Sequence, residues 1–224
     1  GQLGNGEINL PWEETVYLPQ DITDYFGFVP NDFVVKLAFG NNHSMALTFL
    51  GRVFVWGDNE VNQLGTDDEM LLVPTEITDL FNLNDDVIID ISAGYSHSGV
   101  LTSYGRVFVF GDNNDGQLGI GIEPRQSDGP IEITDLLVEA GIITNLRFTH
   151  NSSAVIGEDE IYVFGFNFYG QLGLGNKNIV NTPTILANEN FTAKVIDIII
   201  AREVYTVIYE DGEMMTMVLT TFGE

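Results

Sequence analysis

Cysteine is absent from the 224 residues, so disulfides, thiolate metal sites and cysteine nucleophiles are all excluded. Positive charge is scarce as well. Eight Lys and Arg stand against 33 Asp and Glu, for a formal net charge of -25. Affinity for a phosphate backbone comes mostly from basic side chains that neutralise phosphates, and a strongly negative field repels such a polymer. Nucleic acid and anionic membrane surfaces are therefore poor partners. No apolar run approaches the roughly 20 residues that a bilayer span requires, so membrane insertion is not expected. No signal-peptide pattern or initiator Met opens the chain, and both ends fall inside repeated motifs, so the stretch is expected to be an excerpt of a longer chain. There is no Gly-Lys-Ser phosphate loop, zinc-ligand spacing or serine nucleophile elbow. The expectation is a chain that is not an enzyme and carries no cofactor.

What is present is apolar and repetitive. With 44% hydrophobic, 11% aromatic and 18% charged residues, the composition is that of a folded domain rather than a disordered chain. The acids gather in runs such as Asp67-Asp68-Glu69, Asp85-Asp86 and Glu158-Asp159-Glu160, which read as solvated loops.

Four anchors recur in one order. Gln-Leu-Gly begins at Gln2, Gln63, Gln117 and Gln171, at spacings of 61, 54 and 54 residues. A Pro-x-x-Ile-Thr-Asp motif opens at Pro19, Pro74 and Pro130, with a weaker echo at Pro183. An apolar segment runs through Val35-Lys36-Leu37-Ala38-Phe39-Gly40 and returns at Ile89, Thr144 and Ile196. The last is Gly51-Arg52-Val53-Phe54-Val55-Trp56-Gly57, repeated from Gly105 and echoed from Glu160. The units span approximately 1–57, 58–111, 112–165 and 166–224, within a single region.

Each unit reads as β. Its segments are four to seven residues long, rich in Val, Ile, Phe, Tyr and Thr, and separated by turn residues. Gly51, Gly105 and Gly212 close short loops where a hairpin needs positive φ. Val53 and Val55 lie on one face of their strand and Phe54 and Trp56 on the other, so that strand is expected to be buried on both sides. A propeller blade, wedged between its neighbours, meets that demand. No strong helix is expected; Thr23, Thr78 and Thr134 are placed to cap one short turn each.

The combination of Asn-x-x-Gly-Gln-Leu-Gly, Gly-x-x-His-Ser and Gly-Arg-Val-Phe-x-Trp-Gly resembles the regulator of chromosome condensation repeat. The clearest copies are Asn113 to Gly119, Gly94 to Ser98 and Gly40 to Ser44. The resemblance covers nearly the whole chain and looks like a bacterial-type member. It implies an all-β fold of four-stranded antiparallel blades, about four of them, forming an arc of a seven-bladed propeller; a self-contained four-bladed ring is the alternative. The copies degenerate along the chain. Ser152 falls where His43 and His97 align, and His150 is displaced by two residues. Val204 takes that place in the last copy, and Met217 stands opposite Phe110.

His43 and His97 recur at one repeat phase, which points to a repeated structural hydrogen bond rather than catalysis or metal binding, as do Gly40 and Gly94 beside them. Trp56, Phe110 and Phe164 replace one another and read as core; Gln63, Gln117 and Gln171 read as repeat scaffold. Arg52 and Arg106 recur in phase as structural ion-pair candidates. The loop Asp112 to Gly116 lacks the acceptor spacing of a calcium loop and reads as Asn/Asp turn chemistry. Trp12 and Tyr17, in the longer first interval, and Phe168 and Tyr169, in a loop that is polar in the earlier copies, are the candidate partner anchors.

Propeller rims offer loops on a rigid scaffold, so the favoured function is non-enzymatic recognition of an unidentified protein partner. The resemblance also implies an alternative, guanine-nucleotide exchange on a small GTPase, opposed by the tight repeat spacing and the charge. Clean repeats rich in Asn, Ile and Asp are similar to those of bacterial cell-surface proteins, a third reading. That reading favours the cell surface or exterior, with the cytoplasm as the alternative.

Overall fold

The computed structural model describes residues 1–7, 18–186, 193–200 and 204–218. They form successive antiparallel sheets, each built from strands consecutive in sequence. Blade 1 contains β1 (Val34–Phe39), β2 (His43–Thr48), β3 (Val53–Asp58) and β4 (Met70–Glu76). Blade 2 contains β5 (Ile88–Ala93), β6 (His97–Thr102), β7 (Val107–Gly111) and β8 (Ile131–Glu132). Blade 3 contains β9 (Ile143–Thr149), β10 (Ser152–Gly157), β11 (Ile161–Gly165) and β12 (Val180–Ile185). Blade 4 is described as β13 (Val195–Ile200), β14 (Val204–Tyr209) and β15 (Met214–Val218). The first strand of each later blade packs on the first and second strands of the blade before it, so the first strands run along the inside of the arc.

The sheets are offset from the sequence repeat. Gln63, Gln117 and Gln171 lie between the third and fourth strands of blades 1, 2 and 3, so these Gln-Leu-Gly copies fall inside a blade rather than at its edge. Register agrees between copies. His43 pairs with Gly57, His97 with Gly111, Ser152 with Gly165 and Val204 with Val218. Ser152 and Val204 thus stand at the histidine phase, and Met217, opposite Tyr205, stands at the phase of Phe110. Each first strand carries an irregularity near its start, at Val35, Ile89, Thr144 and Ile196.

The core lies between blades. Val53 and Val55 enter one cluster with Phe81, ahead of β5, and Ile91, Val100 and Phe110 of blade 2, while Phe54 and Trp56 enter another with Phe26 and Ala46. The strand is therefore buried on both faces, as its pattern demands. Leu64, Leu118 and Leu172 of the Gln-Leu-Gly motifs are fully buried, each in the cluster shared with the following blade. Burying one such side chain stabilises by about 1.5–3 kcal/mol. On the leading face of blade 1, Leu37 is 49% exposed, whereas its counterparts Ile91, Leu146 and Ile198 are fully buried against the preceding blade.

Three short 3-10 turns cover Thr23–Phe26, Thr78–Phe81 and Thr134–Leu136. The threonines do not cap them, contrary to expectation; Ile22, Ile77 and Ile133 occupy the cap position. Thr78 and Thr134 instead accept the backbone N–H of Val53 and Val107 and donate to Glu76 and Glu132. Their hydroxyls are spent on the third strand, which leaves none for the turn.

Candidate functional site

Antiparallel strands give every blade two ends. One end carries the turn between first and second strands together with the loop between third and fourth. Asp58, Asp112 and Phe166 donate their N–H groups to the carbonyls of Asn42, Ser96 and Asn151, joining loop to turn. The opposite end carries the hairpin between second and third strands. There Phe49, Ser103, Glu158 and Glu210 donate to the carbonyls of Phe33, Val87, Ile142 and Lys194.

The third-to-fourth loops are held by buried amides. Asn113 Oδ1 accepts the Leu118 N–H at 3.1 Å, and its amide donates to Gly121 and Pro124 carbonyls at 3.1 and 2.8 Å. Gln117 Oε1 accepts the Asp115 N–H at 2.9 Å, and its amide donates to Asp112 at 2.8 Å. The same pattern holds Asn59 and Gln63. Asn167 and Gln171 keep the backbone half of it. Asp112 and Asp115 are thereby engaged, Asp115 also accepting from Asn151 at 2.7 Å. Turn chemistry accounts for this loop. The buried Asn59, Asn113 and Asn167, four residues ahead of each Gln, stand at the Asn of the Asn-x-x-Gly-Gln-Leu-Gly motif and share the scaffold role with Gln.

The Gln-Leu-Gly backbone also fastens each blade to the next. Ser98 donates to the Gln63 carbonyl at 2.7 Å and lies 2.9 Å from His43 Nε2. Ser153 donates to the Gln117 carbonyl at 2.7 Å and lies 2.9 Å from His97 Nε2. Each hydroxyl spends its proton on the carbonyl, so each imidazole must donate through Nε2, leaving a bare, buried Nδ1. Burial lowers the pKa of His43 to about 4, and burial with the nearby His43 and His150 lowers that of His97 to about 3. These His–Ser pairs are sealed from solvent and commit the serine to the backbone, which is joinery and not a nucleophile with its base. A Cβ on Gly40 or Gly94 would overlap the adjacent imidazole. Trp56 donates through Nε1 to the Gln2 carbonyl at 3.0 Å, and Phe110 and Phe164 are fully buried.

Arg52 grips Glu76 through two nitrogens at 3.1 and 2.7 Å, reaches Asp32 at 3.1 Å and lies over Phe54. Arg106 repeats the grip on Glu132 and lies over Phe108.

Trp12 and Tyr17 lie outside the described residues. Phe168 is 55% exposed and Tyr169 half-buried, and they flank Phe166 at ring separations of 4.9 and 5.8 Å. This aromatic cluster rides on the Asn167–Gln171 scaffold, where the earlier copies place Asp58, Glu60 and Val61 or Asp112, Asn114 and Asp115.

Family models described as the regulator of chromosome condensation (RCC1) repeat match residues 34–63 and 88–117, and again 51–101, 104–143 and 158–203. The chain is 33% identical over 187 residues to the probable E3 ubiquitin-protein ligase HERC4 of Rattus norvegicus, covering 82% of this chain and 17% of that protein. It is 28% identical over 189 residues to the secretion-regulating guanine nucleotide exchange factor of Mus musculus, covering 79% and 40% respectively. It therefore spans less than half of either relative. Among solved structures, human WBSCR16 superposes with a TM-score of 0.73 at 23% identity, over 84% of this chain and 49% of that one. Prp20p of Saccharomyces cerevisiae gives 0.68 at 22% identity, over 83% and 43%.

Proposed function

Because the chain belongs to the regulator of chromosome condensation (RCC1) repeat family, we propose that it is a non-enzymatic β-propeller scaffold that recognises another protein through its rim loops. The observation that carries this reading is the aromatic cluster of Phe166, Phe168 and Tyr169. Phe168 is placed in solvent beside the half-buried rings of Phe166 and Tyr169, on a loop whose own backbone is fixed by the buried Asn167, Gln171 and Leu172. A rigid loop bearing aromatic rings loses little conformational entropy on binding, and such residues supply most of the affinity at protein interfaces. The fold likeness to Prp20p, a protein described by its binding to Gsp1p and histones, supports a role in protein recognition at this coarse level.

The test is affinity capture with the chain and with its Phe168→Ala and Tyr169→Ala variants, folding checked by thermal melting. Loss of a partner from the variants supports the reading. Partners retained in full by both would remove this loop from the interface. Nucleotide release from a small GTPase, measured with the same protein, is the assay that separates the scaffold from an exchange factor.

A further inference from the structure

The hairpin face, opposite the Phe168 loop, carries a second exposed apolar surface. Phe33, Val87 and Ile142 occupy one phase, just ahead of the first strand, and are 52%, 43% and 67% exposed. Phe49, Leu50 and Tyr104 stand in the adjoining hairpins and are also exposed. Blades 2 and 3 each have a blade in front of them, so the exposure of Val87, Tyr104 and Ile142 does not arise from an uncovered junction. The rings of Phe33 and Phe49 stack at 5.2 Å, and the backbone of Gly51 lies against Val87. Between Leu50 and Val87 the surface sinks into a hollow of about 400 Å³, with Asp79 and Asp86 in its wall.

This face changes character along the arc. The hairpin residues that follow Phe49-Leu50 and Ser103-Tyr104 are Glu158-Asp159 in blade 3 and Glu210-Asp211 in blade 4, all exposed. At the hairpin tips apolar groups give way to carboxylates, in a chain that already carries a net charge of -25, while the phase of Phe33, Val87 and Ile142 ends in the exposed Lys194 on blade 4. At the hollow itself, Asp86 lacks the arginine that holds its counterpart. Its counterpart Asp32 accepts Arg52 on Oδ2 at 3.1 Å. Asp86 receives Val87, Ser103 and Tyr104 on Oδ1 and has the Thr102 hydroxyl beside it, with no arginine on its buried Oδ2. Arg106 is turned instead to Glu132 and the Phe81 and Asn82 carbonyls.

We infer that the hairpin face docks a cationic segment of a partner protein, with an aromatic or aliphatic anchor on blades 1 and 2 and Lys or Arg side chains toward blades 3 and 4. An apolar patch sets aside a purely ionic ligand, and the carboxylates set the sign of the partner. The two together fix its direction along the arc. Apolar anchoring supplies affinity and complementary charge supplies orientation and on-rate. This surface is separate from the Phe168 loop and stands or falls by itself.

Panning a random linear peptide display library against the protein tests it. The expected result is enrichment of sequences with an aromatic or aliphatic residue beside several Lys or Arg. Their affinity, read by fluorescence anisotropy, falls at least tenfold on Phe49→Ser/Leu50→Ser and on Glu158→Gln/Glu210→Gln. It also weakens with added salt and is unchanged by Phe168→Ala. All of these positions are exposed on loops, so the variants fold, which melting checks. No enrichment, enrichment of uncharged or acidic sequences, or binding indifferent to the hairpin substitutions would overturn the inference. Binding that is lost on Phe168→Ala would assign the ligand to the opposite face.

Discussion

His97 Nε2 stands 2.9 Å from the Ser153 hydroxyl in the following blade, and that hydroxyl already donates to the Gln117 carbonyl. The imidazole is therefore neutral, with its proton on Nε2, and a second proton would have to sit on a buried Nδ1 that faces no acceptor. His43 is held the same way against Ser98.

Acid should loosen these junctions in a defined window. The folded pKa values, about 4 and about 3, lie below the value of 6.5 for a free imidazole. Stability from burying neutral histidine is thus complete above pH ~6.5 and is lost as the pH falls from there toward the folded values. At roughly 1.4 kcal/mol per pH unit of displacement, each histidine costs about 2–3 kcal/mol by pH ~4.5. Asp32, Asp86, Glu76 and Glu132 are held below their usual values, so their contributions fade only at lower pH. Urea titrations between pH 7 and 4.5 should show a decline that flattens in a His43→Asn/His97→Asn variant. Relief of repulsion among the 33 carboxylates is common to both proteins and cancels in the comparison. Equal slopes would contradict the burial argument.

Along the inside of the arc, charges alternate from blade to blade. Asp90 touches Lys36 in blade 1, accepts the Leu146 N–H of blade 3 at 3.0 Å and lies 4.0 Å from Arg147. Arg147 in turn grips Asp197 of blade 4 at 2.7 and 3.0 Å. Asp90→Ala strands a backbone donor and removes the shared anion from two cations. Denaturant unfolding should register a loss of about 2–4 kcal/mol. Asp90→Asn keeps an acceptor for Leu146 and should lose about half as much. If the two variants unfold alike, the N–H bond contributes little.

The ladder also shows where sequence reading stops. The period, the strands, the hairpin glycines and the two-faced burial of Val53 to Trp56 were legible because each is a local pattern repeated. Lys36, Asp90, Asn145 and Asp197 share a register phase but not a charge, and Arg147 answers from two residues further on. A pairing made of unlike residues 50 or more positions apart leaves no periodic trace. Blade boundaries were hidden for a different reason: β4 returns to a sheet whose other strands precede Gln63. Phe33 and Phe49 resemble core residues by type, and only the fold shows them in solvent.

Arg52 and Arg106 look equivalent in sequence and are not. Both hold a carboxylate and cover a ring, but Arg52 also neutralises Asp32, whose side chain is fully buried. Removing a partner from a buried charge is costly, whereas a pair at the surface is worth at most about 1 kcal/mol. Arg52→Met should therefore destabilise by about 2–3 kcal/mol and Arg106→Met by about 1 kcal/mol. Asp32→Asn made together with Arg52→Met should recover part of the larger loss, a coupling that a double-mutant cycle reads directly.

Gly105 and Gly111 bracket the same strand and both have positive φ, of 79° and 110°. Their surroundings differ. A Cβ on Gly105 meets no atom within 4 Å, so Gly105→Ala bears only the backbone cost of a left-handed non-glycine residue, about 1 kcal/mol. A Cβ on Gly111 would come within 2.5 Å of the Ser96 carbonyl oxygen and 2.8 Å of His97 Cα. Both are backbone atoms of the paired strand and its turn, and that turn also accepts the Asp112 N–H at 2.9 Å. The neighbour cannot swing aside without breaking the joint between turn and loop. Gly111→Ala should cost more than about 3 kcal/mol, or leave blade 2 unfolded. Paired melting curves of the two variants decide it. Equal shifts would mean that φ alone demands glycine at position 111, and that the turn beneath the loop yields more readily than its hydrogen bonds imply.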